Sequence, residues 1–301
     1  MDEKVCIILL NYNNPKDTIE CVESLYKIDY SNYEIIIVDN KSTDNSLEIL
    51  NKELGNKKKL HIISSKKNGG FAYGNNFGIE YAKGLSPEYI LLLNNDTLVC
   101  KDFLKELVES FEEDKNIGLT TGKILYNDKK DVIWYGGGEI DWNKFYGYHY
   151  QGIASNENNK EQGKFITFAT GCLMLIKTEV LNKIGNLPKE YFMYYEDVDF
   201  SAKLLENGYK IYYNPKALIY HKVSSATGGE ESPFAVKWNT RNRIIFMNKY
   251  KYKSNDIKFF LSKSYFYTTR IIKITKYILK GESNKALAVI KGIKESKIKI
   301  K

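Results

Sequence analysis

The chain has 301 residues, of which 43% are hydrophobic and 27% charged, a composition that indicates a folded protein and excludes a disordered one. No apolar run reaches the roughly 18 residues that a membrane-spanning helix requires, and the first residues lead into a predicted strand rather than a secretory signal. The four cysteines (Cys6, Cys21, Cys100 and Cys172) are too widely spaced for a zinc site, which favours free thiols in a reducing, cytoplasmic compartment.

The net charge of +8 is unevenly distributed along the chain. Residues 241–301 hold 17 basic and 3 acidic residues, whereas residues 1–240 hold 28 basic and 34 acidic ones. We therefore predict a mildly acidic main domain over 1–240 and a basic amphipathic helical tail over 241–301. Such a tail can make peripheral contact with an anionic membrane, and the alternative is an ordinary helical subdomain with solvated lysines. A nucleic-acid partner would explain the tail but not the acidic clusters described below, so none is predicted.

Four short apolar runs in the first hundred residues indicate buried strands, namely Val5–Leu10, Glu34–Val38, Leu60–Ile63 and Tyr89–Leu93. Helical segments separate these runs, and the first begins at Asn14-Pro15, where an N-cap residue precedes a proline. This alternation predicts an α/β fold with a doubly wound parallel sheet and right-handed crossovers. In such sheets ligands bind at the carboxyl ends of the strands.

The regular alternation ends after a helix near Lys101–Phe111. Short apolar runs divided by glycine and asparagine over residues 117–177 predict β-hairpins and surface loops. A helix over Glu196–Asn207 is predicted next, followed by a strand over Lys210–Tyr213 with an extension, just beyond which His221 lies. The polar, glycine-containing loop Ser224–Ser232 is of the kind that orders over a ligand, and the chain beyond it is helical.

Polar groups follow the second, third and fourth predicted strands. Asp39 is placed to accept hydrogen bonds from a base or a ribose, although a helix cap is the alternative. The segment Asn68–Gly78 brings backbone amides to a helix start, which favours a phosphate or a sugar. Asp96 supplies an oxygen ligand of the type that Mg²⁺ and Mn²⁺ accept, with a turn cap as the alternative. These groups predict a ligand site at one edge of the sheet.

A second acidic motif, Glu196-Asp197-Val198-Asp199, lies among aromatic residues about a hundred residues downstream. Asp197 and Asp199 point in different directions at a helix start, so one can face a cleft while the other supports the fold. A carboxylate beside another acid in an aromatic pocket has a raised pKa, which suits a general base for a hydroxyl group. His221 could complete a metal site with Asp96, an assignment that spacing alone leaves open. Together the two motifs predict a site for metal-assisted group transfer.

Seven motifs occur in order along the chain: Asn11-Tyr12-Asn13, Val38-Asp39-Asn40-x-Ser42-x-Asp44, Asn68-x-Gly70-Phe71-Ala72-x-Gly74-Asn75-Asn76-x-Gly78, Leu92-Leu93-Asn94-Asn95-Asp96, Thr170-Gly171-Cys172, Glu196-Asp197-x-Asp199 and Arg241-Asn242-Arg243. In this order they resemble the family 2 glycosyltransferases, and they are most similar to the rhamnosyltransferase-like branch of that family. The resemblance spans about residues 4–250, and the combination is specific although no single motif is.

The resemblance implies a GT-A (Rossmann-like) fold, a mostly parallel sheet flanked by helices, with a C-terminal helical extension. It also implies transfer of a sugar from a nucleotide diphosphate with inversion at the anomeric carbon. By similarity Asp197 is the catalytic base with Glu196 beside it, and Asp96 and His221 hold Mg²⁺ or Mn²⁺. The residues implied in binding the nucleotide sugar are Asn11, Tyr12, Asp39, Asn40, Asn68, Gly70, Asn75, Asn94 and Asn95. Asn94 departs from the family pattern, which often has an aspartate there, and the lost charge puts metal dependence in doubt.

The expected enzyme is an inverting hexosyltransferase of cell-surface polysaccharide synthesis, located in the cytoplasm at the inner face of the membrane. It would use a dTDP- or UDP-sugar, with dTDP-rhamnose as the leading donor, and a glycan or lipid-linked acceptor. Residues that line the sugar pocket are expected among 120–175. A catalytically silent nucleotide-sugar or glycan-binding module with the same fold is the alternative. A sugar-phosphate nucleotidyltransferase is disfavoured, because Asn11-Tyr12-Asn13-Asn14 lacks the basic glycine-rich loop that such enzymes need after the first strand.

Overall fold

The computed structural model describes residues 2–154, 162–223 and 231–297, so most of the predicted loop Ser224–Ser232 lies outside the described residues. The strands are β1 (Val5–Asn11), β2 (Tyr33–Asp39), β3 (Leu60–Ser64), β4 (Tyr89–Asn94), β5 (Thr97–Val99), β6 (Ile117–Tyr126), β7 (Val132–Tyr135), β8 (Gly138–Asp141), β9 (Tyr146–His149), β10 (Gly152–Ile153), β11 (Lys164–Ile166), β12 (Leu173–Lys177) and β13 (Lys210–His221). The helices are α1 (Pro15–Leu25), α2 (Ser46–Leu54), α3 (Phe71–Lys83), α4 (Phe103–Glu109), α5 (Thr178–Ile184), α6 (Glu196–Glu206), α7 (Pro233–Lys249), α8 (Asp256–Leu279) and α9 (Ser283–Glu295).

The centre of the main sheet consists of β3, β2, β1 and β4, which lie side by side and parallel. The apolar runs Val5–Leu9, Ile35–Val38 and Ile90–Leu92 are fully buried, as expected of strands covered on both faces. The predicted parallel half is therefore confirmed. Beyond β4 the sheet departs from the doubly wound pattern, because β12 lies antiparallel to both β4 and β6. The result is a mixed, mostly parallel sheet flanked by helices.

The strand register gathers polar residues at one edge of this sheet. Asn11 lies opposite Asp39, and Leu10 lies opposite Asn94. The strands β1, β2 and β4 therefore end at the same level, each in a polar residue. A two-residue turn, Asn95-Asp96, follows β4 at this edge before β5 begins. The carboxyl ends of the strands are thus where most predicted site residues lie.

Strand β13 extends beyond Tyr213, as predicted, and includes His221, which was expected just outside the extension. Its pairing with β6 shifts register between Asn214 and Leu218, around Pro215, which has no N–H to donate to a neighbouring strand. The strand resumes beyond the proline. The second half of β13 pairs with β5 and places His221 opposite Thr97, the residue after Asp96.

The C-terminal helices pack on the main domain. Helix α7 runs through the predicted boundary at residue 240, and its Ile244, Phe246 and Met247 share an apolar cluster with Tyr195 and Val198. The secondary structure is therefore continuous across residue 240. The division into domains of residues 1–240 and 241–301 stays a prediction. Within the described ranges, no helix is both long enough and apolar enough to cross a membrane.

Asp199 is the polar anchor of this packing. Its buried carboxylate accepts hydrogen bonds from Tyr191 Oη at 2.8 Å and from Tyr250 Oη at 3.0 Å. Lys249 Nζ donates to its two oxygens at 2.9 and 2.7 Å. Burial raises the pKa of Asp199, and the ion pair with Lys249 opposes that rise. Asp199 thus ties α6 to the end of α7 and is the carboxylate of the motif that supports the fold.

We predict that Asp199→Ala lowers the free energy of unfolding by about 3 kcal/mol, because it leaves an ammonium group and two buried hydroxyls without their acceptor. Urea denaturation followed by circular dichroism measures this loss. Asp256→Ala is the matched control, because Asp256 is exposed and pairs only with the exposed Lys251 at 3.5 Å, and such pairs contribute little. Equal stability of the two variants would contradict the anchoring role of Asp199.

Candidate active site

The ends of β1 and β2 are joined by a buried polar network. Asn11 Nδ2 donates to Asp39 Oδ1 at 3.1 Å and to Ser42 Oγ at 3.2 Å. Ser42 donates to Asp39 through its N–H at 3.1 Å and through its hydroxyl at 2.5 Å. Thr18 Oγ1 donates to Asn11 Oδ1 at 2.9 Å. Asp39 therefore fixes the loop after β2, and Asn11 acts by holding Asp39 in place.

A cavity of about 470 Å³ lies beside Asp39 and is lined mainly by polar residues of the loop after β2 and of α2. Asp39 does not cap α2, because Asp44 Oδ1 accepts the N–H of Ser46 at the helix start instead. The cap alternative for Asp39 is therefore not observed. Tyr12, which follows the strand end, is exposed and leaves its ring open for stacking. The volume is within the range of small-ligand pockets.

The loop before α3 is held tightly against the segment that precedes α6. Asn40 Nδ2 donates to Asn68 Oδ1 at 3.1 Å and to Gly70 O at 3.2 Å, and Gly70 N–H donates to Asn68 Oδ1 at 3.1 Å. Gly70 has a φ of +86°, and a Cβ there would lie 1.9 Å from Phe192 O. Phe71 N–H donates to that carbonyl at 2.8 Å. Only glycine fits at this crossing.

The two asparagine side chains of α3 make hydrogen bonds within the protein, one inside the helix and one to the segment after α5. Asn75, predicted to contact the nucleotide sugar, is buried, and its Nδ2 donates to Phe71 O at 3.0 Å. Asn76, the last residue of the segment expected to hold the nucleotide sugar, donates to Leu187 O at 2.8 Å and accepts from Leu187 N–H at 3.0 Å. The structure therefore gives both side chains structural hydrogen bonds, and the predicted contact of Asn75 with a ligand stays a prediction.

Asp96 and His221 are brought into contact although 125 residues separate them in the chain. The distance between Asp96 Oδ1 and His221 Nε2 is 3.1 Å, and both side chains are largely buried. Asn94 Nδ2 lies 3.5 Å from the same ring nitrogen. Asn95 turns the other way, and its Nδ2 donates to Thr18 Oγ1 at 2.8 Å. Asn94 and Asp96 thus face His221, whereas Asn95 stabilises the turn.

The charges at this pair are coupled. Burial lowers the pKa of His221, but contacts with Cys172 and Asp96 more than offset that effect, so the pKa lies above its usual range. Burial also raises the pKa of the Cys172 thiol, which is therefore uncharged at neutral pH. We conclude that Asp96 is the group that stabilises the imidazolium. A cation bound at Asp96 would compete with this proton.

The donor set at Asp96 and His221 fits a divalent ion. A carboxylate oxygen and an imidazole nitrogen face each other, and Mg²⁺ and Mn²⁺ accept such ligands while keeping waters or substrate phosphates in the other positions. The buried Nδ1 of His221 has no hydrogen-bond partner. In the part of the chain that the structure describes, no cluster of three or more His, Cys, Asp or Glu side chains forms a complete metal site. Substrate oxygens would therefore complete the shell.

The segment Thr170-Gly171-Cys172 links the two acidic motifs. Asn94 N–H donates to Cys172 O at 3.0 Å, and Gly171 N–H donates to Asp197 Oδ2 at 3.0 Å. Because Gly171 and Cys172 are consecutive, the end of β4 and the start of α6 flank a single short stretch of backbone. A Cβ at Gly171 would lie 3.1 Å from the Phe71 ring. Asp197 therefore adjoins both the metal motif and the start of α3.

Asp197 faces a second cavity, of about 300 Å³. Burial raises the pKa of Asp197, although hydrogen bonds from Gly171 N–H and Val198 N–H oppose that rise. Glu196 is buried beside it with Oε2 unpartnered. Burial, and then the neighbouring Asp197, raises the pKa of Glu196 well above its usual range. Asp197 is thus the member of the pair that can meet a hydroxyl group in this cavity.

A turn with strained backbone conformations directly precedes the first turn of α6, which carries Asp197. Tyr194 and Tyr195 have φ values of 69° and 75°, and such left-handed conformations cost non-glycine residues roughly 1–3 kcal/mol each. Asn242 Nδ2 donates to Met193 O and Tyr194 O, both at 2.8 Å. Arg241 Nη1 donates to Asn242 Oδ1 at 2.5 Å. The Arg241-Asn242 pair of the last motif therefore holds the turn that leads into α6.

Four parts of the chain form the walls of the cavity at Asp197. They are β9, the segment between β11 and β12 with Phe168, the turn and helix start at α6, and the helices α7 and α8 with Asn239, Arg243 and Arg270. Burial lowers the pKa of His149 to about 4, so its ring is neutral. Lining residues were expected among 120–175, and that range omits the helical wall. The sequence of α7 and α8 is lysine-rich and amphipathic, a pattern that does not indicate a pocket. The presence of arginine in place of lysine is the one signal that could have indicated it.

Comparison with known proteins places the chain in a family. Residues 6–185 match the family model described as Glycosyl transferase family 2. Glycosyltransferase GlyG of Streptococcus pneumoniae is 33% identical over 135 residues, 45% of this chain and 44% of that protein. The low-salt glycan biosynthesis hexosyltransferase Agl10 of Haloferax volcanii is 26% identical over 258 residues, 85% of this chain and 79% of Agl10. The chain thus spans less than half the length of GlyG.

The mannosyltransferase PcManGT from Pyrobaculum calidifontis, solved in complex with GDP-Man and Mn²⁺, is a structural neighbour. It superposes with a TM-score of 0.61 at 14% sequence identity, over 98% of this chain and 87% of its own. At this identity the likeness shows the fold alone, and it confirms the predicted GT-A architecture. Because the family model covers more than half of the sequence, we conclude that the chain belongs to glycosyl transferase family 2.

Proposed function

We propose that the chain is an inverting glycosyltransferase, which moves a hexose from a nucleotide diphosphate sugar to a hydroxyl group of a glycan or lipid-linked acceptor. The observation that carries this proposal is the bridge at Gly171-Cys172. It joins the Asp197 carboxylate and the end of β4, which leads to Asp96, through two backbone hydrogen bonds of 3.0 Å each. A proton acceptor thus lies beside the motif that would hold the leaving group.

On the acceptor side, Asp197 would take the proton of the attacking hydroxyl. A raised pKa makes this carboxylate a stronger base than a solvated one, while the hydrogen bonds from Gly171 and Val198 keep it oriented. A single base suffices for direct displacement with inversion. Glu196, buried and with a higher pKa, would remain protonated and limit the negative charge beside Asp197.

On the donor side, the cavity at Asp39 would receive the base and ribose. Tyr12 and Asn40 directly follow the strand ends Asn11 and Asp39. The N–H groups of Gly70 and Phe71 are already donated to Asn68 Oδ1 and Phe192 O, so the other amides of this loop and of the first turn of α3 would meet the donor. Asp96 and His221 would hold Mg²⁺ or Mn²⁺, which would stabilise the charge on the departing nucleoside diphosphate. We propose a dTDP- or UDP-sugar as donor, with dTDP-rhamnose first and GDP-sugars included because PcManGT binds GDP-Man.

We predict that Asp197→Asn lowers turnover by roughly 10²- to 10⁴-fold, because an amide cannot accept the hydroxyl proton. Mass spectrometry of nucleoside diphosphate release, from UDP-, dTDP- and GDP-sugars with Mg²⁺ or Mn²⁺ and lipid-linked acceptors, measures this loss. In the native chain, kcat/KM should fall as the pH falls through the pKa of Asp197. Because that pKa is raised, the fall should lie above the roughly pH 4 of a free carboxylate.

Two comparisons make this prediction decisive. Asp131→Asn removes a carboxylate from an exposed loop and should leave turnover unchanged. Nucleotide affinity of Asp197→Asn should equal that of the native chain, which separates loss of chemistry from loss of fold. Full turnover in Asp197→Asn would contradict its role as the base. A native chain that binds nucleotide yet releases none with any acceptor would instead support the catalytically silent binding module.

Removal of a metal ligand is a separate prediction. His221→Gln and Asp96→Asn should each raise the Mn²⁺ concentration for half-maximal turnover by at least about tenfold, since each removes one of two protein donors. Chelation with EDTA should abolish release of nucleoside diphosphate, and added Mn²⁺ or Mg²⁺ should restore it. His61→Gln is the matched control, because His61 lies on the edge strand β3 and pairs with Glu34 of β2. Full turnover in EDTA would contradict metal dependence.

We also propose that α8 makes the peripheral membrane contact. Large apolar side chains are exposed along one face of this helix, and the most exposed of them, Leu279, has 82% of its surface accessible. The set is Ile257, Phe260, Leu261, Tyr265, Ile271, Ile272, Ile278 and Leu279. The opposite face packs on the protein through Phe266 and Tyr277. Exposed lysines, including Lys258, Lys276 and Lys280, adjoin the apolar stripe and suit anionic headgroups.

We predict that the chain cosediments with vesicles of phosphatidylglycerol and phosphatidylcholine and much less with phosphatidylcholine alone, because the lysines need anionic lipid. The combined variant Phe260→Ser, Ile271→Ser and Leu279→Ser should lose this binding. Ile153→Ser, which removes a highly exposed apolar side chain from β10, is the matched control and should bind as the native chain does. A stable dimer in light scattering, without vesicle binding, would assign the apolar face to a second copy instead.

A further inference from the structure

The cavity beside Asp197 contains an unusual concentration of arginine. The chain has 45 basic residues, but only three are arginines, Arg241, Arg243 and Arg270. Arg243 and Arg270 both line this cavity, and they come from different helices, α7 and α8. Arginine differs from lysine in its planar fork of five N–H donors, which matches the oxygens of a phosphate or carboxylate.

The two guanidiniums make few contacts with other polar groups of the described residues. Among the residues that the structure describes, no carboxylate lies within ion-pair distance of Arg243 or Arg270. Arg243 donates through Nε and Nη2 to one carbonyl, Lys144 O, at 3.1 and 2.7 Å. Within the described ranges Arg270 donates only to Thr240 Oγ1, at 3.5 Å, and its Nε is buried without a hydrogen-bond partner there. Most of the ten N–H donors are therefore free to bind a ligand.

The two guanidiniums make cation–π contacts with the same aromatic ring. The carbon at the centre of each fork lies over the Phe266 ring, at 5.2 Å for Arg243 and 5.0 Å for Arg270. The central guanidinium carbon of Arg243 also lies over the Tyr146 ring, 5.1 Å from the ring centroid. Burial, and then the like charge of Arg243, lowers the pKa of Arg270. Two like charges are thus held near each other in a partly buried site, which is unfavourable until an anion lies between them.

We infer that Arg243 and Arg270 form an oxyanion subsite that binds a phosphate or carboxylate group of the acceptor. The inference rests on the proposed function, because it needs Asp197 in the same cavity to face the acceptor hydroxyl. Forked donors on two walls can hold the oxyanion from two directions. With a cavity of about 300 Å³, there is room for a sugar ring beside it. Tyr194 and Asn239 supply further polar groups at the same wall.

The position of the subsite favours the acceptor over the donor. The donor phosphates are expected at Asp96 and His221 and at the loop with Gly70, and none of these three residues lines the arginine cavity. Asp197 accepts the Gly171 N–H through Oδ2 and lines the arginine cavity. An oxyanion between the two arginines would therefore fix the acceptor near the base, so the subsite would select acceptors that carry a negative charge close to the reacting hydroxyl.

Calorimetric titration of the full chain, saturated with UDP and Mg²⁺ so that the donor side is filled, tests this inference. The probes are farnesyl phosphate for a lipid-linked phosphate and glucuronate for a sugar acid, with farnesol and methyl glucoside as their neutral counterparts. The native chain should bind at least one anionic probe and neither neutral one. Whichever anion binds identifies the source of the oxyanion. Arg243→Gln and Arg270→Gln should each weaken that binding by about tenfold or more.

Control variants separate the subsite from general charge and from folding. Lys263→Gln removes one positive charge from the same helix, α8, and should leave binding of the anion unchanged. Affinity for UDP should be equal in all variants, which shows that each is folded. If Arg270→Gln fails to fold, the less buried Arg243→Gln decides the outcome. Arg243→Lys keeps the charge without the fork, so it should bind more weakly than the native chain.

Several results would overturn the inference. They are no binding of either anion by the native chain, equal binding by the arginine variants, or weaker UDP affinity with unchanged binding of the anion, which would move the guanidiniums to the donor side. The titration needs no turnover, so it is independent of the base assignment. Asp197→Asn should still bind the anion. If Asp197→Asn keeps full turnover while the arginine variants lose the anion, the proposed base fails and the subsite stands.

Discussion

The close crossing of Gly70 and Phe192 is the constraint on which the site depends. No side chain fits between Gly70 and the Phe192 carbonyl, which also accepts the N–H of Phe71. The crossing fixes the start of α3 against the segment that leads into α6, so the loop expected to meet the donor and the carboxylate expected to meet the acceptor cannot move independently. Asn242 completes the arrangement, because its amide satisfies two carbonyls of the strained turn that follows.

Two carboxylates of the acidic motif of α6 point in opposite directions and make different contacts. Asp197 and Asp199 are two residues apart, which on a helix turns them roughly 200° from each other. Asp199 points into the packing with α7, where Lys249 and two tyrosine hydroxyls surround it. Asp197 points to the cavity and to Gly171 N–H. The anchor thereby holds the helix whose first turn carries the proposed base, and loss of either carboxylate should have a different physical effect.

The parallel half of the sheet could be predicted from the sequence because each strand there is a short apolar run followed by a polar group, a pattern that local residues determine. Asp39, Asp96 and Asp197 could be proposed as site residues for the same reason, since each belongs to a contiguous motif, and their roles stay predictions. The extension of β13 was predicted without a defined end, because Pro215 interrupts the pattern while the ladder resumes beyond it. The arginine cavity was missed because β9, the turn before α6, α7 and α8 meet only in three dimensions.

Helix α8 connects the cavity with the surface of the molecule. Arg270 points toward Asp197's cavity, whereas the next two residues, Ile271 and Ile272, lie on the exposed face. A helix turns about 100° per residue, so adjacent positions can serve opposite sides. If the exposed face lies on a membrane, the oxyanion subsite lies within a helix diameter, about 10 Å, of the lipid headgroups. That is where the phosphate of a lipid-linked acceptor would be, so the two proposals about α8 support the same substrate class.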